Sequence, residues 1–138
     1  MSPSDAFEPL RSALERAGIR YAIGGHGRSF NAIYMPMAFK IDFFPAAAFA
    51  LGTEELDHAI YLTGTGLAKA SVPFVTPEDI LLAKLFWFRS GGEASEVQWR
   101  DVQGIARSCA NTLDRCYMQS AAIKLGVGDL LDKVLKEG

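Results

Sequence analysis

The sequence predicts an α+β protein in which one N-terminal helix precedes a small, mostly antiparallel or mixed sheet and a helical C-terminal half follows it. Strand-like segments separated by turn residues are confined to about residues 19–75. From Thr76 onward, helix-capping patterns precede apolar residues at helical spacing. A chain of 138 residues suits one domain, so we expect a single domain with a sheet part, about 1–75, and a helical part, about 76–138.

The first helix is predicted from its start and its end. Ser2, Pro3 and Asp5 suit the N-cap, N1 and N3 positions, and Gly18 supplies a C-terminal stop. Apolar residues recur between them at helical spacing, namely Phe7, Leu10, Leu14 and Ala17.

The predicted strands come next along the chain. They are 19–23, 30–34, 38–44, a weak segment at 54–63 and a better one at 69–75. Met35-Pro36-Met37 is typical of a hairpin turn, and Gly64-Thr65-Gly66 of a turn before the last strand. Residues 45–51 are rich in Ala and Phe and leave their structure open.

Capping patterns mark the helices of the second half. Thr76-Pro77-Glu78-Asp79 begins a strongly apolar helix that ends at Gly91-Gly92, and a capping box at Ser95 begins the next. A third helix is predicted from Asn111 or Thr112 to Gly126, and a short last one from about 128 to 136.

Composition and charge exclude several classes of function. A net charge of −2 gives no basis for binding a nucleic-acid backbone or an anionic membrane. No apolar run approaches the roughly 20 residues that span a bilayer, and the N-terminus has no basic region before an apolar core. Cys109 and Cys116 do not form a C-x-x-C pair, and we expect reduced thiols in a cytoplasmic protein.

Asp42 is the most informative chemical feature, because it stands alone in the apolar run Ala38–Phe44. A buried carboxylate is costly unless it is paired. No Asp or Glu occurs between Arg20 and Lys40. Asp42 therefore contacts a metal or a nucleotide, or it pairs with Lys40, Arg28 or a backbone N–H, and we favour the pairing.

The stretch from Gly24 to Ser29 is a second candidate site. Glycine-rich turns direct successive N–H groups at a phosphate, and Arg28 and Ser29 would add contacts. The stretch lacks the Lys-Ser/Thr ending of a P-loop and no helix pattern follows it. A tight turn between strands explains it as well.

Several segments resemble the nucleotidyltransferase superfamily, which has the DNA polymerase β-like fold, and its small bacterial toxin-type and uncharacterised members in particular. The sheet part matches at Tyr21–Gly25, Arg28–Asn31 and Phe39–Phe44, and the helical part at Thr76–Leu85, Gly91–Glu93 and Gln98–Val102. The similarity covers most of the chain, and the helical part is the more specific match. With the resemblance added, the candidate nucleotide- or phosphate-binding residues are Gly24, Gly25, Arg28, Ser29, Lys40 and Lys84.

The chain departs from the family at the metal site. The family carries an Asp-x-Asp or Asp-x-Glu pair after the glycine pair and a third carboxylate on a later strand. Asp42 resembles that third carboxylate, the remnant of the catalytic metal ligands, and the acidic pair has no counterpart. Nucleotidyl transfer needs Mg²⁺ held by more than one weak ligand. We therefore expect a degenerate nucleotidyltransferase-like protein that binds a nucleotide or a protein without catalysis and needs no cofactor.

Alternatives stay open at this point. An active Mg²⁺-dependent nucleotidyltransferase would recruit Glu54, Glu55 or Asp57, or a carboxylate of a second subunit. A toxin–antitoxin component would use exposed aromatic residues as its contact surface. The aromatic residues of Phe86-Trp87-Phe88 cannot all face the same way on one helix, so at least one should be exposed or lie in an interface. We therefore hypothesise a homodimer that covers the edge of the shortened sheet.

Overall fold

The structure, a computed structural model, describes residues 3–24, 30–34, 39–43, 46, 49–64 and 71–137, and only their backbone in 3–6, 30–34 and 39–43. The chain divides between Val75 and Thr76 into two compact units. The predicted α+β class is confirmed: one N-terminal helix, small antiparallel sheets and a helical C-terminal half. That the whole chain forms one domain stays a prediction.

The elements of the first unit are α1 (Pro3–Arg16), β1 (Phe30–Tyr34), β2 (Phe39–Phe43), α2 (Gly52–His58), β3 (Ile60–Leu62) and β4 (Val72–Phe74). The second unit contains α3 (Pro77–Ser90), α4 (Glu96–Ser108), α5 (Arg115–Leu125) and α6 (Gly128–Glu137). Among the described residues, no helix combines the length and the apolar character needed to cross a membrane.

Helix α1 begins and ends as its sequence predicts. Pro3 occupies the first turn, where the N–H that proline lacks would have no helical acceptor. Gly18 follows the last turn with φ +69°, a left-handed conformation that favours glycine. Along the helix, Arg11 pairs with Glu8 and Glu15, both at 2.9 Å.

Strands β1 and β2 form the antiparallel pair that the sequence predicts. The register runs from Phe30 opposite Phe43 to Tyr34 opposite Phe39, and it places Asn31 opposite Asp42. The predicted turn at Met35-Pro36-Met37 lies outside the described residues.

A second antiparallel pair joins β3 to β4, and Ile23 lies on the other side of β4 in a parallel bridge. The Ile23 N–H donates to the Pro73 carbonyl at 2.9 Å, and the Val75 N–H donates to the Ile23 carbonyl at 2.8 Å. The backbone of Pro73 therefore faces Ile23. On this side the parallel pairing uses the carbonyl of Pro73, and the donor to Ile23 is the N–H of Val75, so the N–H that proline lacks is not required. A proline is thus tolerated in the strand between Ile23 and β3.

Two of the predicted strands are wrong. Residues 19–23 contribute only the bridge at Ile23. The segment starts beside the end of α1, where the Ile19 side chain is 54% exposed, and it reaches β4 only at its last residue. The weak strand 54–63 is helical up to His58 and extended only in β3. Glu54 and Glu55 lie in the first turn of α2, where the helix dipole favours negative charge.

The core of the second unit lies where α3, α4, α5 and α6 meet. Its fully buried side chains include Leu81, Leu82, Leu85, Val102, Met118, Leu131 and Val134. Helices α3 and α4 begin as predicted, since Thr76 and Ser95 accept hydrogen bonds from the N–H groups of Asp79 and Gln98.

The predicted start of the third C-terminal helix, at Asn111 or Thr112, is wrong by a few residues. The Asp114 carboxylate accepts a hydrogen bond from the Tyr117 N–H at 3.1 Å, so Asp114 is the N-cap and α5 starts at Arg115. In α3, Phe88 is buried while Phe86 and Trp87 are half-buried. Phe86 and Trp87 are thus partly exposed, and that one of the three lies in an interface stays a prediction.

Candidate functional site

Asp42 occupies the polar face of the β1–β2 hairpin. Because strand residues alternate between the two faces of a sheet and register partners share one, Asn31, Ile33, Lys40 and Asp42 belong to the same face. The opposite face carries only apolar and aromatic residues, namely Phe30, Ala32, Tyr34, Phe39, Ile41 and Phe43. The hairpin is thus amphipathic, and Asp42 is placed with its polar members.

No second carboxylate accompanies Asp42 in these strands. The sequences of β1 and β2, Phe-Asn-Ala-Ile-Tyr and Phe-Lys-Ile-Asp-Phe, contain Asp42 as their single acidic residue. An amide at Asn31 is its register partner, and an amine at Lys40 lies two positions away on the same face. By sequence and register, the polar residues of this face are therefore one acid, one base and one amide.

The glycine-rich candidate is described only at its first residue. Gly24 is exposed and directly follows the bridge residue Ile23. Gly25, Arg28 and Ser29 lie outside the described residues, so a phosphate-binding turn there stays a prediction.

Lys84 is half-buried on α3, and its Nζ lies 3.7 Å from the Asp101 carboxylate on α4. A lysine in such a position packs its aliphatic part on the helix and extends its amine toward solvent or a partner. The ion pair connects two helices of the second unit. Lys84 thus has Asp101 as an ion-pair partner. Its role in binding a phosphate, which the resemblance implies, stays a prediction.

The alternative carboxylates of α2 differ in their surroundings. Glu55 is only 5% exposed, and Asp57 accepts a hydrogen bond from the Arg20 guanidinium at 2.9 Å. Glu54 is half-buried. Within the described part of the chain, no three His, Cys, Asp or Glu side chains lie together as a metal site would require. The side chain of Asp42 is outside that statement.

One pocket of the first unit was missed from the sequence. It has a volume of about 280 Å³, and its polar lining comes from Glu15, Arg20, Tyr21 and Tyr61. The Tyr21 hydroxyl lies 3.5 Å from a Glu15 carboxylate oxygen. Burial and the nearby negative charge of Glu15 raise the pKa of Tyr21 above its ordinary value. These residues form no recognisable motif in the sequence. They come from α1, from the segment that follows α1 and from β3, and only the fold brings them together.

Strand β3 presents apolar side chains to solvent. Ile60, Tyr61 and Leu62 are 45%, 69% and 40% exposed, which is unusual for consecutive apolar residues of a strand. Tyr61 also lines the pocket, as does its register partner Pro73. The pocket and this strand are therefore continuous.

Comparisons with known proteins assign no family to this arrangement. No protein-family model matches the chain, and no curated protein or solved structure matches it either.

Proposed function

We propose that this chain is a nucleotidyltransferase-like protein that has lost nucleotidyl transfer and serves as a binding module, with a protein as its main partner. One observation carries the proposal: Asp42 is the single carboxylate of the β1–β2 hairpin, and its register partner is Asn31. The expected fold, that of the nucleotidyltransferase superfamily, comes from the resemblance of the sequence to that superfamily.

The loss of chemistry follows from what magnesium requires. Mg²⁺ prefers six oxygen ligands and is usually held by one or two carboxylates together with substrate phosphates. A two-metal site places the ions about 3.5–4 Å apart and needs bridging carboxylates. Asp42 is the single acidic residue among the register positions of its face, so the hairpin provides one carboxylate where such a site needs more.

The binding role is supported by surface chemistry. By register, Asn31, Lys40 and Asp42 belong to one face of the hairpin, and these residue types hydrogen-bond nucleotide bases and riboses. The exposed apolar residues of β3, in contrast, suit a protein surface, because exposed apolar patches mark interaction sites. A protein partner is the stronger of the two expectations, since it accounts for side chains whose exposure is otherwise unfavourable.

The test is a transfer assay on the purified chain and its Asp42→Asn variant. Labelled ATP, GTP, CTP and UTP are supplied with Mg²⁺ or Mn²⁺, and label on the protein, on RNA and on added host proteins is measured. We expect no metal-dependent label above that of a buffer blank. Metal-dependent transfer that Asp42→Asn abolishes would overturn the proposal.

A parallel Asp57→Asn variant addresses the active-enzyme alternative. Asp57 is an exposed carboxylate held by Arg20, so the change leaves the buried residues of the unit in place. Transfer that depends on Asp57 as well as Asp42 would show that α2 supplies the second ligand. In that case the chain is an enzyme.

A further inference from the structure

We draw no further inference here: the strongest candidate, the pocket lined by α1 and β3 together with the exposed apolar side chains of that strand, has its charged residues Glu15 and Arg20 already held in ion pairs, and nothing in the described part of the chain shows what covers it.

Discussion

Arg89, in the last turn of α3, donates two parallel hydrogen bonds to the Asp129 carboxylate in the first turn of α6, at 2.7 and 2.6 Å. The same guanidinium donates to the carbonyl of Gly126, which caps the end of α5. One side chain thus joins the ends of three helices of the second unit. The hydrogen bonds from Arg89 lower the pKa of Asp129 to about 2 from its usual value of 3.8.

This pair predicts an acid-dependent stability. Because the pKa of Asp129 is lower in the folded chain, its contribution is present above 3.8 and is lost as the pH falls toward about 2. Asp129→Asn should therefore lower the Tm at pH 7, and the difference from the unmodified chain should shrink at acid pH. Thermal unfolding followed by circular dichroism between pH 2 and 7 measures this.

Asp132→Asn is the matched control, since Asp132 is exposed on the same helix and has no ion pair among those of the described residues. It should change the Tm little at any pH. A constant difference between Asp129→Asn and the unmodified chain at every pH would contradict the role of Arg89.

A second prediction concerns a buried carboxylate. Asp79 is 1% exposed, and the Tyr117 hydroxyl of α5 donates a hydrogen bond to it. Tyr117→Phe removes that donor from a buried acceptor and should lower the free energy of unfolding by about 1–3 kcal/mol. Urea denaturation measures it, with Tyr61→Phe, at an exposed hydroxyl, as the control that should show almost no change. A loss for Tyr117→Phe no larger than that control would mean that the bond adds nothing to stability.

The helical half was largely predictable because its information is local. Side-chain caps at Thr76 and Ser95 and the left-handed Gly126 act within a few residues of each helix end. The predicted start of α5 is too early because the Asp114 carboxylate accepts the first-turn hydrogen bond from the Tyr117 N–H, while the Thr112 hydroxyl donates to the Cys109 carbonyl. Which of several neighbouring polar residues becomes the N-cap depends on the direction from which the chain enters the helix, and this direction is set by the tertiary structure.

The sheet part was harder because its pairing is not local. The β1–β2 hairpin was predictable from two neighbouring apolar segments on either side of Met35-Pro36-Met37, while the position of Ile23 beside Phe74 depends on residues 51 positions apart in sequence. The sequence predicts a strand across α2 because Ala59 to Leu62 form an apolar run, whereas the residues before that run are helical from Gly52 to His58.

The pocket was missed for the same reason. Glu15 and Tyr61 have no sequence relationship, and only packing brings them to one cavity. That Asp42 is the single acidic residue of its strand can be read from the sequence alone. Its place on a polar face needed the register with Asn31.

A third prediction uses two glycines of the helical unit. Gly126 has φ +73°, which a residue with a Cβ adopts at a cost of about 1–2 kcal/mol. Gly104 lies inside α4, is exposed, and a Cβ added there meets no atom within 4 Å. Gly126→Ala should therefore destabilise the chain, whereas Gly104→Ala should stabilise it by about 0.5–1 kcal/mol.

Chemical denaturation of both alanine variants beside the unmodified chain checks the signs. Opposite signs are expected because helix propensity and left-handed strain act in opposite directions. Stabilisation by Gly126→Ala would show that α5 does not end in a left-handed residue.

A fourth prediction concerns magnesium. With one carboxylate on its face of the hairpin, Asp42 should hold Mg²⁺ no better than an ordinary surface acid does. A ligand that binds the folded chain raises its free energy of unfolding by RT ln(1 + [ligand]/Kd), which is close to zero when the ligand concentration is well below Kd. Millimolar Mg²⁺ should therefore leave the Tm unchanged. We expect equal Tm values in EDTA, in millimolar MgCl₂ and in MgCl₂ with ATP, both for the unmodified chain and for Asp42→Asn. Glu8→Gln in the same buffers controls for general effects of removing an acidic side chain from this unit. A rise in Tm that requires Mg²⁺ and disappears only in Asp42→Asn would show that other ligands complete a metal site around Asp42, and the chain would then have to be treated as an enzyme.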